Sequence, residues 1–477
     1  MSDYKSLAKH SRNYLFATIA TKALSFISIP VYTRLLSVED YGVVNVFMSM
    51  VGIVAVLLTL SSEASISRYY YDAKNTEDFK RFVGTSIRLT SMILLVTTSV
   101  FILGLNIIAD IVELPRKLTL CLIPVALFNI TNSIFTQIYN PQMQSKKIAI
   151  VSSIQSYLAF ALSIVCIIVI NEEKYYGYVY GNIMAMILLG AYIVRQIKPF
   201  YTSCFDKQYI PYILKYCLPY IPDALSGIVL AQFSKIFIGS NQGFALAGTY
   251  GLVVNMAMLM IIVIQITNNA WVPYYFRYMN DKDYKSINND FNLIWRLTLV
   301  AAIGLSFFGK EIAEILANKD FLEMMPLLPL LVTGYVFHQW AYVYLRNVAY
   351  SKRMMWNTYA YMFSGIALVA LNIVLVPRFQ GYGAAIATLA SYVLLFLFTY
   401  VANKFVIKLN APSVLRTLSP LLFYILFIIA AIYLYTLDIN WMLLLFVKTL
   451  LLAIGAVVLI YPYIDKIKPY ILSRFDK

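Results

Sequence analysis

Charge is what this chain has least of. Only 13% of its 477 residues are Asp, Glu, Lys or Arg, and 61% are hydrophobic. A soluble domain carries about a quarter of its residues charged, so a water-soluble fold is excluded. Histidine is almost missing: His10 and His338 are the two, too far apart to ligate a metal as a pair. The four cysteines, Cys121, Cys166, Cys204 and Cys217, have no metal or redox spacing and read as small apolar residues. There is no glycine-rich phosphate loop and no nucleophile–base arrangement. No connecting segment is long enough for an extracytoplasmic catalytic domain. These absences point away from an enzyme and from an ATP-driven pump, and toward a carrier powered by a gradient or by substrate turnover.

What is there is length without charge. Uncharged runs long enough to cross ~30 Å of hydrocarbon recur through the chain. Fourteen spans are predicted, near 14–36, 41–62, 83–107, 118–139, 148–170, 176–194, 213–238, 247–272, 288–308, 325–345, 354–376, 382–402, 415–436 and 442–462. The fold class is therefore an all-α polytopic membrane protein. Residues 1–12 are polar and basic, and no small-residue cleavage site follows span 1, so that span is expected to remain as an anchor. The net charge of +15 has a topological explanation. Lys and Arg crowd into alternate connections, those on the side of both termini, which predicts cytoplasmic termini. Between spans 9 and 10, Lys310, Glu311, Glu314, Lys319, Asp320 and Glu323 alternate with apolar residues, predicting a short interfacial helix.

The chain also repeats itself. Asp78-Phe79-Lys80 returns as Asp283-Tyr284-Lys285, and Arg88-Leu89-Thr90 as Arg296-Leu297-Thr298. Ser145-Lys146-Lys147, Tyr176-Gly177 and Tyr41-Gly42 return as Ser351-Lys352-Arg353, Tyr382-Gly383 and Tyr250-Gly251. The order and the separation are nearly constant. Six spans per repeat make the repeats parallel, related by an axis along the membrane normal. This divides the chain into an N-lobe at 1–203, a C-lobe at 204–405 and two appended helices at 406–477.

Polar residues inside spans form stripes. Span 1 places Thr18, Thr21, Lys22, Ser25, Ser28 and Tyr32 on one side of a helix, and span 2 does the same with Asn45, Ser49, Gly52, Thr59 and Glu63. Span 10 adds Tyr335, His338, Gln339, Tyr342 and Arg346. Lipid cannot satisfy such stripes, so they face protein or water, and a water-filled midplane cavity is the simplest expectation. Thr18, Ser25, Asn45, Ser49, His338 and Gln339 are its expected lining. Five cations lie within spans: Lys22, Arg88, Lys235, Arg296 and Lys448. One such charge costs ~3 kcal/mol at mid-span, so each must sit in water, pair or reach an interface.

Two segments carry a family resemblance. Pro30-Val31-Tyr32-Thr33-Arg34-Leu35-Leu36-Ser37-Val38-Glu39-Asp40-Tyr41-Gly42 and Leu218-Pro219-Tyr220-Ile221-Pro222 resemble signatures of bacterial polysaccharide-repeat flippases of the O-antigen and capsule type. These belong to the multidrug/oligosaccharidyl-lipid/polysaccharide exporter superfamily. The resemblance covers the chain in length, span count and repeat layout. It implies translocation of undecaprenyl-diphosphate-linked oligosaccharide across the bacterial inner membrane by alternating access. It also implies that spans 13 and 14 help house the lipid tail, with a glycan polymerase and export machinery as partners and no nucleic acid. Members often carry Asp-Arg near the end of span 7, where this chain has Ser234-Lys235, so that acidic site is not carried over.

An anionic diphosphate asks for cations, and a sugar for hydroxyls, amides and aromatic faces. Lys22, Arg34, Arg88, Arg296 and Lys235 are the candidate cations. For Lys22 the alternative is a local structural hydrogen bond; for Arg34, headgroup anchoring; for Lys235, Arg88 and Arg296, snorkelling to an interface. The sharper reading of Arg88 and Arg296 is a bidentate diphosphate clamp. Glu63 and Asp223 either pair with a cavity cation or bind a coupling H+ or Na+. His338 reads as a hydrogen-bonded interior residue more readily than as a proton relay. A lipid II flippase shares the expected fold and cationic cavity. A cation-coupled drug exporter would favour an acidic site in spans 1 and 2, where Lys22 and a marginal Glu63 stand. An integral-membrane glycan polymerase would need the outer loop that is missing.

Overall fold

The computed structural model describes residues 24, 27–202, 205–410, 412–436 and 440–463. The expectations set on His10, Thr18, Thr21, Lys22, Ser25 and Cys204 lie outside the described residues. The described residues are predominantly helical, with no strand among them. Among the described residues, eleven helical runs are long and apolar enough to cross a membrane. They correspond to the predicted spans 2–9 and 11–14, one run, Met355–Ile407, holding both spans 11 and 12. Helix Leu328–Tyr350 takes the place of span 10, and a helical stretch at 27–35 that of the end of span 1. The chain divides into two compact units. The first runs to Gly248 and takes in Leu316–Asn318; the second holds Thr249–Ile315 and the chain from Lys319 onward.

In the first unit, α1 (27–35) turns directly into α2 (Val38–Thr59). Ser37 caps α2: the Asp40 amide donates to its hydroxyl at 3.0 Å, and its own amide and hydroxyl reach the Asp40 carboxylate. Tyr32 donates to or accepts from Ser163 at 2.6 Å, tying α1 to α7 (Ser145–Val169). Thr33 Oγ1 donates to the Leu316 carbonyl at 3.1 Å, one of the orphan acceptors at the end of a helix. Asn318 Nδ2 returns a bond to the Thr33 carbonyl at 3.1 Å. A Cβ on Gly42 would stand 1.8 Å from the Phe244 carbonyl oxygen, so only glycine admits that approach. The first signature is thus a fastening device, built of a cap, two anchored side chains and one close contact.

After α2 come α3 (Ser65–Asp72), α4 (Thr76–Leu103) and α5 (Leu105–Val112). The predicted span 83–107 is therefore interrupted at Gly104, and α5 is a separate short helix on the outer side of the predicted topology. α6 (Arg116–Tyr139), α7 and α8 (Tyr175–Ile197) follow. The linker after α8 is held down at Asp78, whose carboxylate accepts from Tyr209 at 2.5 Å and from Tyr69 at 3.1 Å. Burial first, and then that carboxylate, push the Tyr69 hydroxyl's pKa up. α9 (Ile210–Gln242) contains Pro219 and Pro222, which each remove one backbone bond from its first half. It packs with α2 inside this unit, so the unit extends beyond the repeat junction near 204.

In the second unit, α10 (Phe244–Ala257), whose first residues belong to the first unit, leads to α11 (Leu259–Asn280) and α12 (Tyr284–Leu316). Asp283 caps α12: its carboxylate accepts from Ser286, which holds its pKa below the usual carboxylate range. The interfacial helix expected between spans 9 and 10 does not form. Lys310, Glu311 and Glu314 instead continue α12, followed by 3-10 turns at Lys319–Phe321 and Met325–Leu327. The reason is Glu311, which pairs inward with the buried Lys448. α13 (Leu328–Tyr350) and α14 (Met355–Ala402) follow, and α14 is two helices joined at Gln380 (φ 49°, ψ −130°). The arms lie so close that a Cβ on Gly383 would meet the Leu375 carbonyl oxygen at 2.4 Å. Its repeat partner Gly177 admits the same approach between α7 and α8, where a Cβ would lie 2.7 Å from the Ile167 backbone. The repeat read in sequence is therefore a repeat of hairpins.

α15 (Val414–Thr436) and α16 (Trp441–Ile460) complete the unit. Tyr424 on α15 bonds Thr333 at 2.9 Å, and Trp295 Nε1 donates to the Thr417 carbonyl at 3.2 Å. α16 lies along α12, a Cβ on its Gly455 reaching to 3.4 Å from Ile303.

Candidate functional site

The polar stripe of α2 is packed against protein. Ser49 Oγ reaches Gln232 Oε1 on α9 at 3.1 Å and the Asn45 carbonyl at 2.7 Å. Asn45 turns its amide back to the Tyr41 carbonyl at 2.9 Å. Both are buried, so in this structure neither lines open water. The Ser49 hydroxyl and the Gln232 carboxamide pair directly across the two helices.

Below that stripe the helix breaks. Leu60 (φ 49°) and Ser61 (φ 52°) take left-handed backbone with no glycine to ease it, a strain of roughly 1–2 kcal/mol for each residue. The break carries Glu63 into the interior of the first unit. Ser133 Oγ of α6 lies 3.4 Å from Glu63 Oε1, while Oε2 is buried without a hydrogen-bond partner. Ser62 bonds Thr90 of α4 at 2.7 Å, and Cys217 Sγ of α9 donates to the Ser62 carbonyl at 3.3 Å. A strained turn with a buried carboxylate, near hydroxyls from α4 and α6 and a thiol from α9, can hold a proton or a small cation. Sequence located Glu63 but not the turn or Ser133, because Leu-Ser-Ser-Glu contains no glycine or proline to announce a break.

Lys235 is buried in α9, not extended to an interface, so the snorkelling alternative does not describe it. Asp223 is half-buried on the same helix, and Arg34 is exposed at the end of α1.

The second unit gathers the span-10 stripe with rings from α14. His338 Nε2 is 3.3 Å from the Tyr361 hydroxyl, and its ring lies 5.1 Å from those of Tyr342 and Tyr392. Arg346 stands over Tyr342 at 5.7 Å, with its Nε buried and unpartnered, as is His338 Nδ1. Gln339 is buried and accepts from Asn268 at 2.8 Å. The group joins aromatic faces, a cation and unspent polar atoms, the set that grips a sugar or a phosphate. Arg346 had only been placed in a stripe by sequence; the structure makes it the cation of this cluster.

Arg88 and Arg296 are each engaged inside their own unit. Arg88 Nε donates to the Tyr201 hydroxyl at 3.1 Å, beyond the end of α8. Arg296 donates to the Leu459 carbonyl at 2.8 Å and stacks over Tyr463, beyond the end of α16. Both repeats thus hand this arginine a tyrosine just past a helix end. Lys448 is 1% exposed and lies 2.5 Å from Glu311 Oε1. It is buried and paired. No group of three or more metal-ligating side chains occurs among the described residues.

Helical runs apolar enough to cross a membrane, with polar and cationic clusters inside each unit, define a polytopic membrane protein. Residues 7–279 match the polysaccharide biosynthesis protein family, and the chain belongs to that family. It is 24% identical over 425 residues to Lsg locus putative protein 1 of Haemophilus influenzae, covering 83% of this chain and 98% of that protein. Among solved structures it is similar to the lipid II flippase MurJ in an inward closed conformation, with TM-score 0.68 and 17% identity over 95% of this chain and 99% of that one. It is similar also to an inward-facing multidrug resistance MATE family transporter of the MOP superfamily, with TM-score 0.64 and 14% identity over 82% and 96%. At these identities the likeness is one of fold.

Proposed function

We propose that the protein moves a lipid-linked oligosaccharide with an anionic diphosphate headgroup across the bacterial inner membrane, by alternating access of its two six-helix repeats. The observation that carries this reading is Lys235, a lysine buried in α9 of a transporter fold from a polysaccharide biosynthesis family. A cation held there at an energetic cost suits an anionic cargo and repels a cationic drug. The His338–Tyr342–Arg346 group would receive sugar rings and phosphate oxygens. Undecaprenyl diphosphate is the carrier, and the cytoplasmic leaflet is the loading side.

Cells depleted of the protein should accumulate the lipid-linked oligosaccharide inside and lose surface glycan. Lys235→Met should reproduce that loss at normal abundance, since a buried methionine is well tolerated. Normal glycan display with altered drug sensitivity would reject the reading.

Glu63 supports a second element, coupling to H+ or Na+. Its unpartnered buried oxygen at a helix break is the kind of position where discontinuous membrane helices hold coupling ions.

A further inference from the structure

The two repeats treat one face differently. When Arg88 is set against Arg296, Leu95 and Val96 of α4 fall at the places of Ile303 and Gly304 of α12. In the second unit that face is covered: Ile303 is 1% exposed beneath α16, whose Leu459 carbonyl takes the Arg296 guanidinium. In the first unit it is open, with Leu95 69% and Val96 60% exposed. Across the apolar window of α4 only 11% is buried, against 50% for α12. Beside this bare face runs a groove of about 650 Å³ between α4, α6 and α8, walled by Leu94, Ile130, Ile134 and Val194.

The groove ends in cations. Arg195 and Lys198 line its mouth with Tyr201, and Tyr201 holds Arg88. No carboxylate is among the described residues that line it. α16 offers its arginine a single carbonyl oxygen, whereas three basic side chains here call for formal negative charge. An apolar trough closed by Lys and Arg at the cytoplasmic boundary of the predicted topology is the form in which membrane proteins hold anionic lipid headgroups.

We propose that this groove binds one anionic glycerophospholipid of the inner leaflet. Its acyl chains occupy the trough beside α4 as α16 covers α12, and its phosphate lies among Arg88, Arg195 and Lys198. The site stands on the first unit alone and does not depend on which cargo is carried.

The test is lipid retention by the full-length protein. It is purified from vesicles of phosphatidylglycerol and phosphatidylcholine, delipidated stepwise and weighed intact by mass spectrometry. The wild type should keep one phosphatidylglycerol per chain and no comparable phosphatidylcholine. Arg195→Gln with Lys198→Gln should lower that retention by roughly tenfold or more. Ala191→Trp, which fills the groove and leaves its charges, should do the same. Lys146→Gln with Lys282→Gln, removing equal charge elsewhere, should leave retention unchanged. Equal retention of the two lipids, or retention indifferent to both groove variants, would overturn the proposal. So would preferential retention of added polyprenyl diphosphate at this groove, or a charge-indifferent dimer covering it.

Discussion

Lys448 of α16 and Glu311 of α12 form an ion pair inside the second unit, Nζ to Oε1 at 2.5 Å, with the lysine 1% exposed. The pair explains two features at once: why an uncharged-looking span tolerates a lysine, and why α12 continues through a charged stretch. Removing one partner strands the other. Lys448→Met should therefore destabilise by about 3–5 kcal/mol, and Lys448→Met with Glu311→Met should recover most of it. Thermal unfolding in detergent reads the difference. A double variant as unstable as the worse single would contradict the pairing account.

Glycines at matched repeat positions should be intolerant for one reason. Gly177→Ala and Gly383→Ala each drive a Cβ into the backbone of the neighbouring helix, at a cost typical of overpacking, about 1–3 kcal/mol. Gly227 has nothing within 4 Å of such a Cβ, and Gly227→Ala should gain up to about 1 kcal/mol of helix propensity. Folded yield by size-exclusion chromatography orders the three variants.

Much of the fold was legible because membrane helices write themselves in composition. Hydrophobic length gave the spans, and repeated dipeptides such as Tyr176-Gly177 and Tyr382-Gly383 marked what proves to be the same tight hairpin. Breaks inside spans were not legible. Leu60 and Ser61 leave helical backbone without glycine or proline, and Gly104 ends α4 where hydropathy runs on. The polar stripes were seen, but not that α9 would cover Asn45 and Ser49. Periodicity says which side of a helix is polar and not what faces it. The cluster that Arg346 joins was hidden, since the two α14 rings against His338, those of Tyr361 and Tyr392, are distant in sequence.

Glu63 gives a prediction about coupling. Glu63→Gln removes the charge and keeps the shape, so abundance should hold while ion-dependent uphill transport is lost. Ser133→Ala, which removes the hydrogen-bond partner of the other oxygen, should weaken coupling less. Transport by Glu63→Gln that follows an imposed ion gradient as the wild type does would place coupling elsewhere.

Arg296 should act through α16. Arg296→Ala removes the donor to Leu459 and the ring contact at Tyr463, and should loosen α16 and lower abundance. Arg296→Lys should restore abundance and transport, because one ammonium donor still reaches one carbonyl. The measurement is protease protection of α16 together with transport. Full abundance with abolished transport in the lysine variant would instead favour bidentate phosphate capture.

The central claim is that this fold carries an anionic lipid-linked glycan. Purified protein reconstituted into vesicles with a fluorescent polyprenyl-diphosphate oligosaccharide tests it most directly, by the fraction of glycan open to an external glycosidase over time. The account predicts protein-dependent exposure of the inner-leaflet pool, slowed strongly by Lys235→Met and by Arg346→Gln. Exposure no faster than in empty vesicles, from folded protein that takes up cationic drugs, would contradict it.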